Sequence, residues 1–179
     1  MVLRNKRMSD ARNDYRWQSD PELARLDAAP PLDCKFDEFL SEYAGELMYP
    51  PSNRRSFAIE TTQGKHIGNC VYYNVNEDGG EAELGIMIGD RHYWNKGYGS
   101  AAVRALLTHV FRHTSLTRVH LKTLVDNARA QKCFKKCGFQ PCGELERDSY
   151  RFLLMDQTRD QWLRRHQQPE QQAAGMSQD

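Results

Sequence analysis

The chain runs to 179 residues, the usual size of a single domain and long enough to bury a core without disulfide or metal staples. With 25 Lys and Arg against 24 Asp and Glu it carries almost no net charge, which excludes the global field that draws proteins to nucleic acid or anionic membrane. A polyanion would have to be met by a local site, and no nucleic-acid or membrane partner is expected.

The opening segment 1–8 places no apolar run behind its charges, and no later stretch approaches the roughly 20 apolar residues that span a bilayer. The expectation is a cytoplasmic, unexported protein. Cys34, Cys70, Cys133, Cys137 and Cys142 make an odd count without a Cys-x-x-Cys pair, which suits buried thiols in a reducing compartment.

Helical and strand patterns alternate and predict an α/β layer arrangement. A first helix begins near Ser9-Asp10, carries Tyr15 and Trp17 and stops at Asp20-Pro21. The turn segment 27–33 leads into a second helix with Phe36, Phe39, Leu40, Tyr43 and Leu47 on one face, ended by Pro50-Pro51. Strands over 56–61 and 66–73, parted by Gln63-Gly64, read as a hairpin; a third over 81–88 follows the turn cluster 76–80 and completes an antiparallel meander. Val103, Leu106, Leu107, Val110 and Phe111 form one apolar stripe at i, i+3, i+4, i+7 and i+8, predicting a central helix that starts at Gly97-Tyr98-Gly99. A strand over 118–124 precedes Asp126-Asn127, which cap a helix to Cys137 closed by Gly138. The shared inner face of Ala130, Cys133, Phe134 and Cys137 assigns both cysteines to the core. The last strands cover 139–144 and 150–155. One domain over 1–166 is expected, with a disordered tail over 167–179 that has no apolar period.

The chemistry concentrates where the third strand ends: a polar loop, Gly89 to Lys96, then Gly97-Tyr98-Gly99-Ser100 opening the central helix. Glycines let backbone approach a ligand closely, and the free amides of a helix start favour an anion. A P-loop would need Gly-Lys-Ser/Thr, whereas Lys96 precedes the glycine here. A dinucleotide fingerprint is matched in form by Gly97, Gly99 and Ala102, but the residues before it, 91–96, are no buried strand. A glycine turn serving topology alone is the third reading.

The run Ala82 to Ala102 resembles the pyrophosphate-binding motif of the GNAT superfamily of N-acetyltransferases, and Asn127 to Phe139 resembles that superfamily's second cofactor motif. The similarity extends more weakly over residues 1–163. Its first segment and the ending Tyr150 to Asp156 look most like the branch holding ribosomal-protein alanine acetyltransferases and small-amine acetyltransferases. The resemblance implies an α/β fold with a mixed, mostly antiparallel sheet, splayed between its fourth and fifth strands and flanked by helices. It also implies acetyl-CoA as cosubstrate, and acetyl transfer to a primary amine by direct attack on the thioester. Ile86, Met87 and Ile88 would pair their backbone with the pantetheine arm; Asn95, Lys96, Gly97, Tyr98, Gly99 and Ser100 would meet the pyrophosphate; Asn127 would reach the pantetheine from the other side. Lys96, Arg91, Arg129 and Lys132 are candidates for the phosphates. The acceptor would be a small-molecule amine or a protein N-terminus, the enzyme a monomer or homodimer. A non-catalytic acyl-CoA-binding regulatory module is the alternative.

Two departures from the motifs stand out. Trp94 occupies a position where Arg or Gln is frequent, and Phe134 stands where many members carry a tyrosine that protonates the leaving thiolate. Phenylalanine cannot donate a proton, which leaves water, Tyr98, Tyr150 or an unassisted thiolate, tolerable for a thiol of pKa near 8.5. A primary ammonium of pKa roughly 10.4 must also lose a proton, at a cost of about 4–5 kcal/mol at pH 7, so a carboxylate is expected nearby. Glu83 matches the position of the catalytic glutamate in histone-acetylating relatives; otherwise it is a solvent-facing strand residue like Glu81. His109 and His113 have metal-ligand spacing without a third ligand, so no metal is expected. The resemblance implies that the first two helices line the acceptor cleft, which would place Trp17, Asp20, Asp27 and Pro30-Pro31 along it, with core packing as the other reading of Trp17.

Overall fold

The computed structural model describes residues 1–174. In chain order the elements are β1 (Val2–Asn5), a 3-10 turn (Met8–Asp10), α1 (Ala11–Gln18), α2 (Pro21–Leu26), α3 (Phe36–Met48), β2 (Arg54–Glu60), β3 (His66–Asn76), β4 (Glu81–Ile88), a second 3-10 turn (Arg91–Tyr93), α4 (Tyr98–His113), β5 (Arg118–Leu124), α5 (Ala128–Cys137), β6 (Gln140–Arg147), β7 (Tyr150–Thr158) and α6 (Arg159–Ala174). One seven-stranded sheet runs β1-β2-β3-β4-β5-β7-β6. Every pairing in it is antiparallel except β4 with β5.

The α4 stripe is the centre of the main core: Val103, Leu106, Leu107 and Val110 are wholly buried, each worth roughly 1.5–3 kcal/mol relative to exposure. α4 packs on β1, β3 and β4, and Phe111 meets Trp162 of α6 at 5.8 Å between ring centres. The buried residues of α1, α2 and α3, among them Trp17, Leu23 and Phe39, lie outside that cluster. Strand alternation explains the division: Ile67 joins the α4 core, while its neighbour His66 faces the other way and meets the Trp17 ring at 4.8 Å. Buried ions anchor α1 on that second face. Asp14 accepts from Lys6 and, at 2.7 Å, from Asn69 Nδ2; Asp10 takes a paired bond from the Arg4 guanidinium, both at 2.8 Å.

Three elements differ from the sequence reading. β1 is four residues long and attaches through backbone pairing and the Arg4 ion pairs, so no periodicity announces it. The stop expected at Asp20-Pro21 is also a start: Asp20 Oδ1 accepts from the amides of Glu22 and Leu23, each at 3.0 Å, and Pro21 is the first residue of α2. The last strand continues to Thr158 and is followed directly by α6, held by Trp162. Of the tail expected from Gln167, the backbone to Ala174 belongs to α6, and residues 175–179 lie outside the described residues.

The site is positioned by one topological event. β4 pairs with β5 only over Glu81–Glu83 against Arg118–His120, whereas β4 keeps β3 as far as Ile88 opposite Gly68. From Leu84 onward one edge of β4 is therefore open, the splay expected between the fourth and fifth strands. Arg118 clamps the closed end, 2.9 Å from Glu81 and 2.9 Å from Asp156. No helix among the described residues is long and apolar enough to cross a membrane.

Candidate active site

Two joined clefts occupy the splay. The first, of about 310 Å³, lies between the open edge of β4, the start of α4 and the face of α5. Ile86, Met87, Ile88, Asn95, Gly97, Gly99, Ser100 and Asn127 all line it, together with Arg129 and Lys132. Gly97 takes φ 84° and caps α4 without a side-chain bond, so the first amides of a 16-residue helix point to the cleft unclaimed by a cap. These free donors and the helix dipole suit a pyrophosphate, and the unpaired β4 edge suits an amide-bearing arm laid along it. Lys96 and Tyr98 do not line either cleft; the Tyr98 ring stands edge-on to Tyr93 at 5.1 Å between ring centres.

Trp94 secures the loop. Its indole Nε1 donates to the Ile88 carbonyl at 2.6 Å, pinning the segment to the end of β4. The Arg129 guanidinium stacks on its ring at 3.5 Å from the centroid. Arg91 is corrected as a phosphate candidate, because Asp20 at 2.7 Å and Glu22 at 2.8 Å hold it against α2, outside the cleft. Asn127 Oδ1 caps α5 by accepting from the Ala130 amide at 3.1 Å, which leaves its Nδ2 for a ligand. Cys137 is buried in the core as expected, whereas Cys133 is half-buried, packing against the core and also lining the cleft, where Ser100 Oγ lies 3.4 Å from its Sγ.

The second cleft, of about 370 Å³, continues past Ile86, Asn127, Ala130 and Phe134, which line both. Its walls are the end of α2 with Asp27 and Ala28, Tyr73 of β3, Lys122 of β5 and the β6–β7 turn with Arg147, Asp148 and Tyr150. Glu83 lines neither cleft. It lies one step behind the second, with Lys122 Nζ 3.0 Å from Oε1 and Asn74 Nδ2 donating to Oε2 at 3.2 Å. Burial pushes its carboxyl up, but hydrogen bonds from Tyr73, Lys122 and Asn74 outweigh that and hold it below the ordinary carboxylate value. Trp17 packs on Gly89 and His66 rather than lining a cleft, Asp20 caps α2, and of the acidic residues placed along the acceptor side only Asp27 reaches the space. Leu23 and Leu26 of α2 also line the first cleft, a contribution that no local pattern announces because α2 is only six residues long.

Gly99 offers a clean test of the anion site. A Cβ there would sit 3.5 Å from Cys133 Sγ and 3.9 Å from Ile88 Cγ1, ordinary contacts, so the fold accommodates alanine while the floor of the cleft rises by a methyl group. Gly99→Ala should keep or raise the melting temperature, since alanine in a helix is favoured over glycine by roughly 1 kcal/mol. CoA affinity should fall about tenfold or more by calorimetric titration, because the methyl group keeps phosphate from the helix amides; unchanged affinity would displace the pyrophosphate from α4.

Comparison with known proteins agrees with this geometry. Residues 1–140 match the family described as acetyltransferase (GNAT) domain. The chain is 28% identical over 147 residues to an uncharacterised N-acetyltransferase, p20, of Bacillus licheniformis, covering 81% of this chain and 82% of that one. It is 29% identical over 110 residues to a spermidine N(1)-acetyltransferase of Vibrio cholerae, covering 62% of each. The crystal structure of spermidine N-acetyltransferase from Vibrio cholerae in complex with CoA and spermine superposes with a TM-score of 0.81 at 21% identity, covering 90% of this chain and 97% of that one. The chain belongs to the GNAT acetyltransferase family, as an N-acetyltransferase that takes its acetyl group from acetyl-CoA.

Proposed function

We propose that this enzyme acetylates a primary amine of a small molecule, with polyamines as the leading class, by direct attack of the amine on the acetyl thioester. The observation that carries the reading is the meeting of the two clefts at Ile86, Asn127 and Phe134: an arm lying along β4 ends where a ligand in the second cleft begins. Two reactants held side by side need no covalent enzyme intermediate, because proximity alone supplies much of the rate. The second cleft has the volume of a small-molecule site, and relatives named for spermidine direct attention to polyamines. A reducing cytoplasm suits its five free thiols.

Phe134 is buried at the junction and offers no proton, so the departing thiolate takes one from water in the open cleft. For Glu83 the geometry supports an indirect part: its ionised carboxylate neutralises Lys122 and orients Tyr73, both of which face the acceptor.

The test is a thioester-cleavage assay with spermidine, kanamycin and a peptide bearing an N-terminal alanine. Turnover is expected with spermidine, with initial-rate lines that intersect when both substrates are varied. Parallel lines, the signature of an acetylated enzyme, would end the direct-attack reading. Preference for the peptide would move the acceptor to protein N-termini.

A further inference from the structure

We infer that Asp27, at the end of α2, is the residue that receives the acceptor ammonium and takes its proton. The inference rests on the amine-acetylation reading above and adds the group that the chemistry of an ammonium substrate requires.

Asp27 lines both clefts, so it stands at the junction where amine and thioester must meet. Its place is fixed by backbone: the Asp27 amide closes α2 by donating to the carbonyls of Leu23 at 3.0 Å and Ala24 at 3.1 Å. Ala28, the next residue, holds φ 52°, the left-handed conformation that glycine usually supplies after a helix. Among the described residues the Asp27 carboxyl has no hydrogen bond or ion pair, whereas the charges around it are engaged. Lys122 is held by Glu83, Arg147 Nε is 3.1 Å from Asp148 Oδ2, and Tyr73 faces Glu83. A carboxylate without a partner at the head of a cleft is an incomplete ion pair, and an ammonium completes it.

The environment also gives it the right basicity. Asp27 is solvent-exposed at the mouth of the cleft, yet enough protein stands around its carboxyl that desolvation pushes it up to about 6, with Lys122 opposing. A general base works best with a pKa near the operating pH, and Glu83, held below the ordinary carboxylate value, is the poorer acceptor of a proton. The balance of the reaction is simple. Asp27 takes one proton from the ammonium, the freed nitrogen pair attacks the thioester carbonyl, and the carbon–sulfur bond breaks as the amide bond forms. Of the three ammonium protons one stays on the amide nitrogen, one ends on the CoA thiol and one leaves to water from Asp27.

The experiment compares wild type, Asp27→Asn and Asp27→Glu with acetyl-CoA and spermidine across pH 5.5–9.5, alongside CoA titration and calorimetric melting. Asp27→Asn should lower kcat by roughly 10²- to 10⁴-fold, the range for a positioned base, and erase the acidic limb of the wild-type rate profile. CoA affinity should change by less than about threefold, and the melting temperature should stay within about 2 °C, because an exposed side chain without a protein partner contributes little to folding. Asp27→Glu should recover part of the rate. If wild type turns spermidine over and Asp27→Asn matches it, or raises only KM while keeping the acidic limb, Asp27 is not the base and the amine reading survives. If wild type cleaves the thioester with no amine in the panel, the amine reading and this inference fall together.

Discussion

Gly89→Ala is expected to lower the melting temperature by about 6–12 °C, through overpacking at the end of the open strand edge. A Cβ at Gly89 would stand 2.0 Å from Cδ2 of Trp17 and 2.4 Å from Cγ and Cε2, so the indole must move. It has little room, being 3% exposed and wedged against His66. α1 cannot slide away cheaply either, since Asp10 and Asp14 tie it to Arg4, Lys6 and Asn69. Overpacking of this kind costs roughly 1–3 kcal/mol, and at the upper end each kcal/mol shifts the melting point of a chain this size by about 2–4 °C. Because Gly89 follows Ile88 at the end of the open edge, CoA binding should weaken as well. Two controls isolate the cause. Trp17→Leu should rescue part of the loss in the double variant, as contacting sites do not add. Gly45→Ala, in α3 with open space around it, should be stabilising. A melting temperature for Gly89→Ala within about 2 °C of wild type, less than 1 kcal/mol in effect, would mean that Trp17 does not close on this strand end.

Glu83→Gln should reduce kcat/KM for spermidine by roughly 10- to 100-fold, chiefly through KM. Removing one partner of a hydrogen-bonded charge pair costs about 2–5 kcal/mol when the pair is buried. Lys122 is 39% exposed, so screening places the effect near about 1.5–3 kcal/mol, and 1.36 kcal/mol is a factor of ten. The released Lys122 charge then faces the acceptor cleft and repels an ammonium. Stability gives a second readout. Glu83 has a depressed pKa in the fold, so its contribution is fully present above the ordinary carboxylate range and disappears as pH falls through the depressed value. The wild-type advantage over Glu83→Gln in melting temperature should therefore be present at pH 7 and vanish in strong acid. A contrary kinetic pattern would reassign the chemistry: if kcat falls roughly 10²- to 10⁴-fold at constant KM and the loss shrinks as pH approaches the amine's own pKa, Glu83 itself takes the proton.

The residues legible from the chain alone are those whose signal is local. The α4 stripe repeats within two helical turns, Gly97 and Gly99 stand beside the helix they open, and Asn127 caps the α5 that follows it at once. Neighbours in sequence are neighbours in space over such distances, so periodicity and caps suffice to place the glycine turn and the two helices beside it. The meander of β2, β3 and β4 is legible for the same reason, each turn being short.

What the tertiary structure alone decided is which charges meet. Glu83 and Lys122 come from strands that pair over three residues and then part, and nothing in either strand's own pattern says where the parting falls. Arg91, one of several cations beside the loop, goes to Asp20 and Glu22 because α2 lies across from it, and α2 is hidden in the sequence by a dipeptide that ends one helix while capping the next. Asp27 has no distinguishing neighbours in the chain; only the fold sets it on the same cleft wall as Tyr73 and Lys122, with no hydrogen bond or ion pair to its carboxyl among the described residues. Coulomb and desolvation energies depend on distance through space and on what displaces water. A linear pattern carries neither, so the fold and the glycine turn that opens α4 could be read from residues in order, while which charges meet needed their arrangement.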